Sequence, residues 1–196
     1  MEERSAPGRR RIPKTRTETA CHIAMHNASG IIPAAKPPLS TEPFDATESP
    51  RLKATIKWID QVSFVAETGS GHAMVVDGSP DAGGRNIGPR PMELVLAGTA
   101  ACTAFDVVWI LKKARQSISG CVVDVEAERA PTEPKIFTRL HFIYRIHGEG
   151  LQPAQVERAV KLSKDKYCSA TLMMANTAAI SYEISLNGEP LPGATD

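Results

Sequence analysis

Pro91-Met92-Glu93-Leu94-Val95-Leu96-Ala97-Gly98-Thr99-Ala100-Ala101-Cys102, continued by Thr103 to Gln116, is the stretch that decides the fold. Proline suits the first turn of a helix, where its missing N–H would be unpaired in any case. Leu94, Val95, Ala101, Phe105, Val108, Trp109 and Leu111 leave little polar face before Lys112. A helix apolar nearly all round is a buried central helix. One layer of sheet cannot cover it, so the expectation is an obligate homodimer with a large apolar interface. The small residues around Cys102 would let other backbone approach closely, as at a packing seam.

Strand patterns lie on both sides of this helix. Lys53 to Trp58 alternates polar and apolar residues, as a half-buried strand does. Val62 to Glu67 and His72 to Asp77 read as two more strands, joined through Gly69, Ser70 and Gly71. Residues 78–90 are rich in Gly, Pro, Asp and Asn and read as a loop. After the helix, Gly120 is the expected stop. Val122 to Arg129 and Ile136 to Ile146 alternate again, and Pro153 opens a second helix with Val156, Val160, Ser163 and Tyr167 inward. A third helix is expected over Ser169 to Ala179 and a last strand over Ile180 to Leu186. The order βββ-α-ββ-αα-β groups strands around helices, so the fold class is α+β.

Residues 1–51 differ in composition. They carry Pro7, Pro13, Pro33, Pro37, Pro38, Pro43 and Pro50 and no sustained periodicity, which predicts a disordered extension dispensable for activity. Leu52 is a candidate native start. The folded domain is expected over 52–187, with a short flexible tail over 188–196. Cys21, His22 and His26 form too sparse a pattern for a zinc site, and no metal or cofactor is expected. The Arg-rich start lacks the apolar stretch of a secretory signal. A formal net charge of +1 gives no sign of nucleic-acid binding. No apolar run reads as long enough to span a membrane. Four widely spaced cysteines without an export signal point to reduced thiols in a cytoplasm.

Among the cysteines, Cys121 fits a small core residue within a strand. Cys102 sits inside the apolar helix. Cys168 precedes a helix beside Lys164 and Lys166, an environment expected to favour its thiolate. Spacing does not show that any two sulfurs meet.

Two stretches carry a resemblance. Pro91 to Cys102 resembles the first-cysteine motif of the OsmC/Ohr family, and Tyr167-Cys168-Ser169-Ala170 resembles the second. The likeness runs from about Leu52 to Leu186. Within the family it points to the YhfA-like branch, through Ile56-Lys57-Trp58, Ser70-Gly71-His72 and Lys166-Tyr167-Cys168-Ser169. The resemblance implies an OsmC-like swapped homodimer, with central helices wrapped by antiparallel-rich sheets and sites at the interface. It implies reduction of organic hydroperoxides in oxidative-stress defence. Cys102 would become a sulfenic acid, Cys168 would condense with it to a disulfide, and a dithiol or lipoyl-type reductant would reopen the bond. The family's peroxidases carry a glutamate ten residues before the first cysteine. That position is Met92 here, and Glu93 comes nine before. Glu93 therefore joins Cys102 and Cys168 as a catalytic candidate. His72 and Arg90, with Arg85 as a further substitute, are candidates for the thiolate-supporting group supplied in the family by an early-strand arginine. An exposed turn residue and solvated loop charges are the competing readings. A ligand-binding or redox-sensing protein that turns over no peroxide is the alternative function.

Overall fold

The computed structural model describes residues 52–191. The expectations for 1–51, including Cys21, and for the last five residues of the tail lie outside them. Three strands come first: β1 (Ala54–Asp60), β2 (Ser63–Thr68) and β3 (Ala73–Val76) form an antiparallel sheet in that order. Gln61 takes the left-handed conformation at the first turn (φ 49°), where the Trp58 indole N–H donates to its carbonyl at 2.8 Å. Lys57 and Glu67 pair across the first two strands at 2.7 Å. β1 is exposed along its whole length, with Ile56, Trp58 and Ile59 open to solvent.

The Gly- and Pro-rich segment after β3 is organised by one carboxylate. Buried Asp77 accepts from the Ser63 hydroxyl at 2.8 Å, from the Gly78 and Arg85 amides at 2.9 Å each, and from the Ile87 amide at 3.1 Å. The Ile87 amide is the largest of the influences that hold its carboxyl down at about 2, against the opposing effect of burial. Gly88 crosses β3 so closely that a Cβ there would stand 2.5 Å from the Val75 carbonyl oxygen.

The long helix is α1 (Pro91–Lys113), with Pro91 in its first turn and Lys112 and Lys113 in its last, where cations meet the negative end of the dipole. It ends through Arg115 in the left-handed conformation (φ 56°), five residues before the expected stop. Gly120 instead lies within a strand, next to a bulge opposite His147. That strand, β4 (Ser117–Arg129), pairs antiparallel with β5 (Phe137–Glu149). The chain then runs through α2 (Pro153–Leu162), a π turn (Ser163–Tyr167) and α3 (Ser169–Met174) into β6 (Ala179–Leu186), which is parallel to β5. α3 is shorter than expected; the Asn176 side chain takes the Leu172 and Met173 carbonyls at 3.1 Å each and closes the helix. β7 (Glu189–Pro190) extends the sheet to the order β4-β5-β6-β7, so the expected tail begins as a strand. Apart from the π turn and β7, the element order is as the sequence predicts, and so is the α+β class.

One stripe of α1, with Thr99, Thr103, Val107 and Leu111 four residues apart, is buried. It meets a core of Leu140, Phe142, Tyr144, Ile146, Val156, Val160 and Ile184. The opposite face is open within the chain. Val95, Phe105 and Trp109 are exposed, and nothing lies within 4 Å of where a Gly98 Cβ would be. The expected all-round burial and close approach at the small residues are therefore not met within one chain, because one sheet and two short helices cover only one stripe. The expectation about apolar runs is also corrected. With 23 residues, α1 is long and apolar enough to cross a membrane, a property shared with central helices of soluble proteins.

Candidate functional site

Helix geometry places Cys102 and Asp106, four residues apart, on the same face of α1. The π turn after α2 delivers the third group. Its wider winding lets the Cys168 amide donate to the Ser163 carbonyl at 2.9 Å and leaves Cys168 extended as the N-cap of α3. The Cys102 sulfur, the Cys168 sulfur and an Asp106 carboxylate oxygen all lie within 4.8 Å of one another. Both thiols are free. A disulfide needs sulfurs about 2.05 Å apart, closer than this spacing requires of the free thiols.

The two sulfurs differ in setting. Cys102 is half-buried, whereas Cys168 is fully buried. Burial is the main cause that pushes the Cys168 thiol above its ordinary range, and the adjacent Cys102 sulfur adds to it. The Thr171 hydroxyl at 3.0 Å and amide at 3.4 Å donate to the Cys168 sulfur and oppose the shift. The thiolate-favouring environment expected for Cys168 is thus not met, because desolvation outweighs the N-terminus of a six-residue helix. The neighbouring lysines are turned toward rings, Lys164 over Tyr182 at 5.0 Å and Lys166 over Tyr167 at 5.3 Å.

A buried hydroxyl chain supports the cluster. Thr103 Oγ1 is 2.7 Å from the Tyr144 hydroxyl and 2.9 Å from Ser163 Oγ, and Ser163 Oγ is 3.1 Å from Asp106 Oδ2. An ionised carboxylate only accepts. One proton order satisfies every group: Tyr144 donates to Thr103, Thr103 to Ser163 and Ser163 to Asp106. Ser163 thereby ties the segment bearing Cys168 to the helix bearing Cys102. Beyond Asp106, an open groove of about 470 Å³ runs along Phe105, Trp109, Lys113 and Tyr167.

The remaining sequence candidates do not join the sulfurs within one chain. Glu93 Oε2 accepts from the Arg90 amide at 2.9 Å, closing the first turn of α1, and the two side chains pair at 3.9 Å. Nine residues of helix put Glu93 about 13 Å along the axis from Cys102. His72 sits at the β2–β3 turn with Nδ1 3.1 Å from Ser70 Oγ. Arg85 lies over the Asp77 loop, 4.0 Å from Asp60. Cys121 lies within β4, packed against the core, and burial raises its thiol. Asp106, Thr103 and Thr171 were not singled out from the sequence, and Ser163 was read only as an inward helix residue. The visible signal for Asp106 was its four-residue offset from Cys102, and for Thr171 its place three residues after an N-cap. No metal ligand set was expected, yet three donor groups stand together here.

Comparison with known proteins agrees with this geometry. The family model described as OsmC-like protein matches residues 83–183, which include both cysteines. Protein YhfA of Escherichia coli strain K12 is 39% identical over 135 residues, covering 68% of this chain and 98% of that protein. The crystal structure of a hypothetical protein from Aquifex aeolicus VF5 superposes with TM-score 0.60 at 28% identity, over 71% of this chain and 99% of that one. An organic hydroperoxide resistance protein OsmC from Legionella pneumophila shares the fold, with TM-score 0.52 and 20% identity over 72% of this chain and 99% of that one. With its motif cysteines converging beside α1 and its folded part matching these proteins nearly end to end, the chain belongs to the OsmC family, on the YhfA-like branch.

Proposed function

We propose that the chain reduces organic hydroperoxides with Cys102 as the attacking thiol and Cys168 as the resolving one. The observation that carries this reading is the pairing of a half-buried sulfur with a fully buried one inside 4.8 Å. The substrate meets the accessible sulfur first. The Cys102 thiolate attacks the distal peroxide oxygen; the O–O bond breaks, the alkoxide leaves and takes a proton as alcohol, and a sulfenic acid remains. The Cys168 thiol then attacks the sulfenic sulfur, its proton leaves with the hydroxyl as water, and the disulfide forms. A dithiol or lipoyl-type reductant returns two electrons. The similarity to a protein called organic hydroperoxide resistance protein supports the substrate class. A reducing cytoplasm is the compartment that fits free thiols.

The working form in this proposal is a homodimer. The apolar face of α1 and the open sheet β1–β3 are the surfaces a second copy would cover. An exchange of that sheet would carry His72, at its β2–β3 turn, to the other copy as candidate thiolate support, with Arg90 at the start of α1 as the other candidate. Within one chain Arg90 pairs with Glu93 and His72 with Ser70, and this favours the ligand-binding or redox-sensing reading as the second. Stopped-flow mixing of the reduced protein with cumene hydroperoxide separates the two. The peroxidase reading expects loss of two thiols per chain far faster than free cysteine reacts. Oxidation no faster than free cysteine overturns it in favour of binding or sensing.

A further inference from the structure

Three donor atoms of different residues converge where the reaction needs only two sulfurs. Cys102 and Asp106 come from a rigid helix, Cys168 from the turn packed against it, and all three donors lie within 4.8 Å of one another. We propose that, with both thiols reduced, Cys102, Asp106 and Cys168 bind one thiophilic divalent cation of the zinc class. Zinc holds thiolate sulfur at about 2.3 Å and carboxylate oxygen at about 2.0–2.2 Å in a tetrahedral arrangement, so its donors stand about 3.5–3.8 Å apart. The observed cluster reaches that by side-chain rotation of the order of 1 Å. Three protein ligands leave a fourth position, and two of the three, Cys102 and Asp106, are only half-buried.

The outer contacts fit such a site. A metal-bound thiolate is stabilised by hydrogen bonds to sulfur, and the Cys168 sulfur already accepts two, from the Thr171 hydroxyl and amide. A ligating carboxylate is held by a second hydrogen bond, and Ser163 Oγ supplies one to Asp106 Oδ2 at 3.1 Å. Partners of this kind orient ligands and tune affinity. The inference does not depend on peroxide turnover, since a protein that consumes no peroxide can still present the same three donors. Binding releases the thiol protons, so affinity rises with pH.

The test is an anaerobic titration of the reduced full-length chain with Co²⁺, read by sulfur-to-cobalt charge-transfer absorption and tetrahedral d–d bands, followed by displacement with Zn²⁺. One ion per chain is expected. Cys102→Ser and Cys168→Ser should each lose about half of the charge-transfer intensity, one of two thiolates, and bind at least tenfold more weakly. Asp106→Asn should keep both thiolate contributions and still lose at least tenfold in affinity. Cys121→Ser and Cys21→Ser should match the parent, the latter separating this cluster from Cys21, His22 and His26. Absence of charge transfer in the parent overturns the proposal, as does its loss in Cys21→Ser. If Cys168→Ser does not fold, Asp106→Asn decides: unchanged Co²⁺ affinity there also overturns it.

Discussion

Thr103→Val tests whether the buried hydroxyl chain holds the site together. Valine keeps the shape of threonine and replaces one hydroxyl by a methyl group. Thr103, Tyr144 and Ser163 are all buried, and the Thr103 hydroxyl lies 2.7 Å from Tyr144 and 2.9 Å from Ser163. The substitution leaves the Tyr144 hydroxyl buried without its partner, which costs about 1–3 kcal/mol. At roughly 3 °C per kcal/mol for a domain of this size, the melting temperature should fall by about 3–9 °C. Tyr144→Phe should cost less, about 1 kcal/mol, since Thr103 keeps Ser163 as partner. The double variant replaces both polar groups by apolar ones and should be more stable than the sum of the singles by about 1 kcal/mol. Urea denaturation at one fixed protein concentration measures all three differences. The chemical consequence is separate. Slackening Ser163 loosens the segment that presents Cys168, so disulfide closure should slow several-fold while the first oxidation of Cys102 is unchanged. A Thr103→Val protein within 0.5 kcal/mol of the parent, or additive singles, would refute the reasoning.

Three further outcomes follow from other parts of the molecule. Asp77 has its carboxyl depressed from 3.8 to about 2, chiefly by the Ile87 amide, so its stabilising effect is complete above about pH 4 and is lost as pH falls toward 2. Asp77→Asn should therefore lower the urea midpoint at pH 7 and flatten its fall between pH 4 and 2; an unaltered pH profile contradicts the loop's dependence on that charge. Glu93→Ala removes the contact that closes the first turn of α1 and should cost about 1 kcal/mol with peroxide consumption within twofold of the parent. A more than tenfold rate loss at unchanged stability would instead place Glu93 at the sulfur. Trp109→Glu puts a charge on the open face of α1 and should shift sedimentation toward monomer; a parent protein that is already monomeric at micromolar concentration removes the dimer from the account.

The α+β order was readable because its signals are local. Pro91 and Pro153 each open a helix, and Val122 to Arg129 and Ile136 to Ile146 alternate as strands should. Gly120 misled because a glycine marks a helix stop and a strand bulge equally well, and Arg115 had already ended the helix. Within one chain α1 buries only one stripe, because periodicity counts apolar residues and not the surfaces one chain has available to cover them. The site was half legible. Cys102 and Cys168 carried motifs, but their meeting depends on a π turn that no composition signal marks. The Cys168 environment was misjudged for the same reason: a local sequence shows lysines and a helix start, while burial is set by α1 packing against the π turn and α3. Asp106 was hidden in a segment read only for its apolar residues.

The central claim is the division of labour between the two sulfurs, and the most direct test is thiol mapping by mass spectrometry after one equivalent of cumene hydroperoxide. The account predicts a single disulfide joining Cys102 to Cys168, with Cys121 free. In Cys168→Ser it predicts a sulfenic acid on Cys102 that dimedone traps and excess peroxide over-oxidises. A dimedone adduct on Cys168 in Cys102→Ser, formed as fast as the parent reacts, would contradict it.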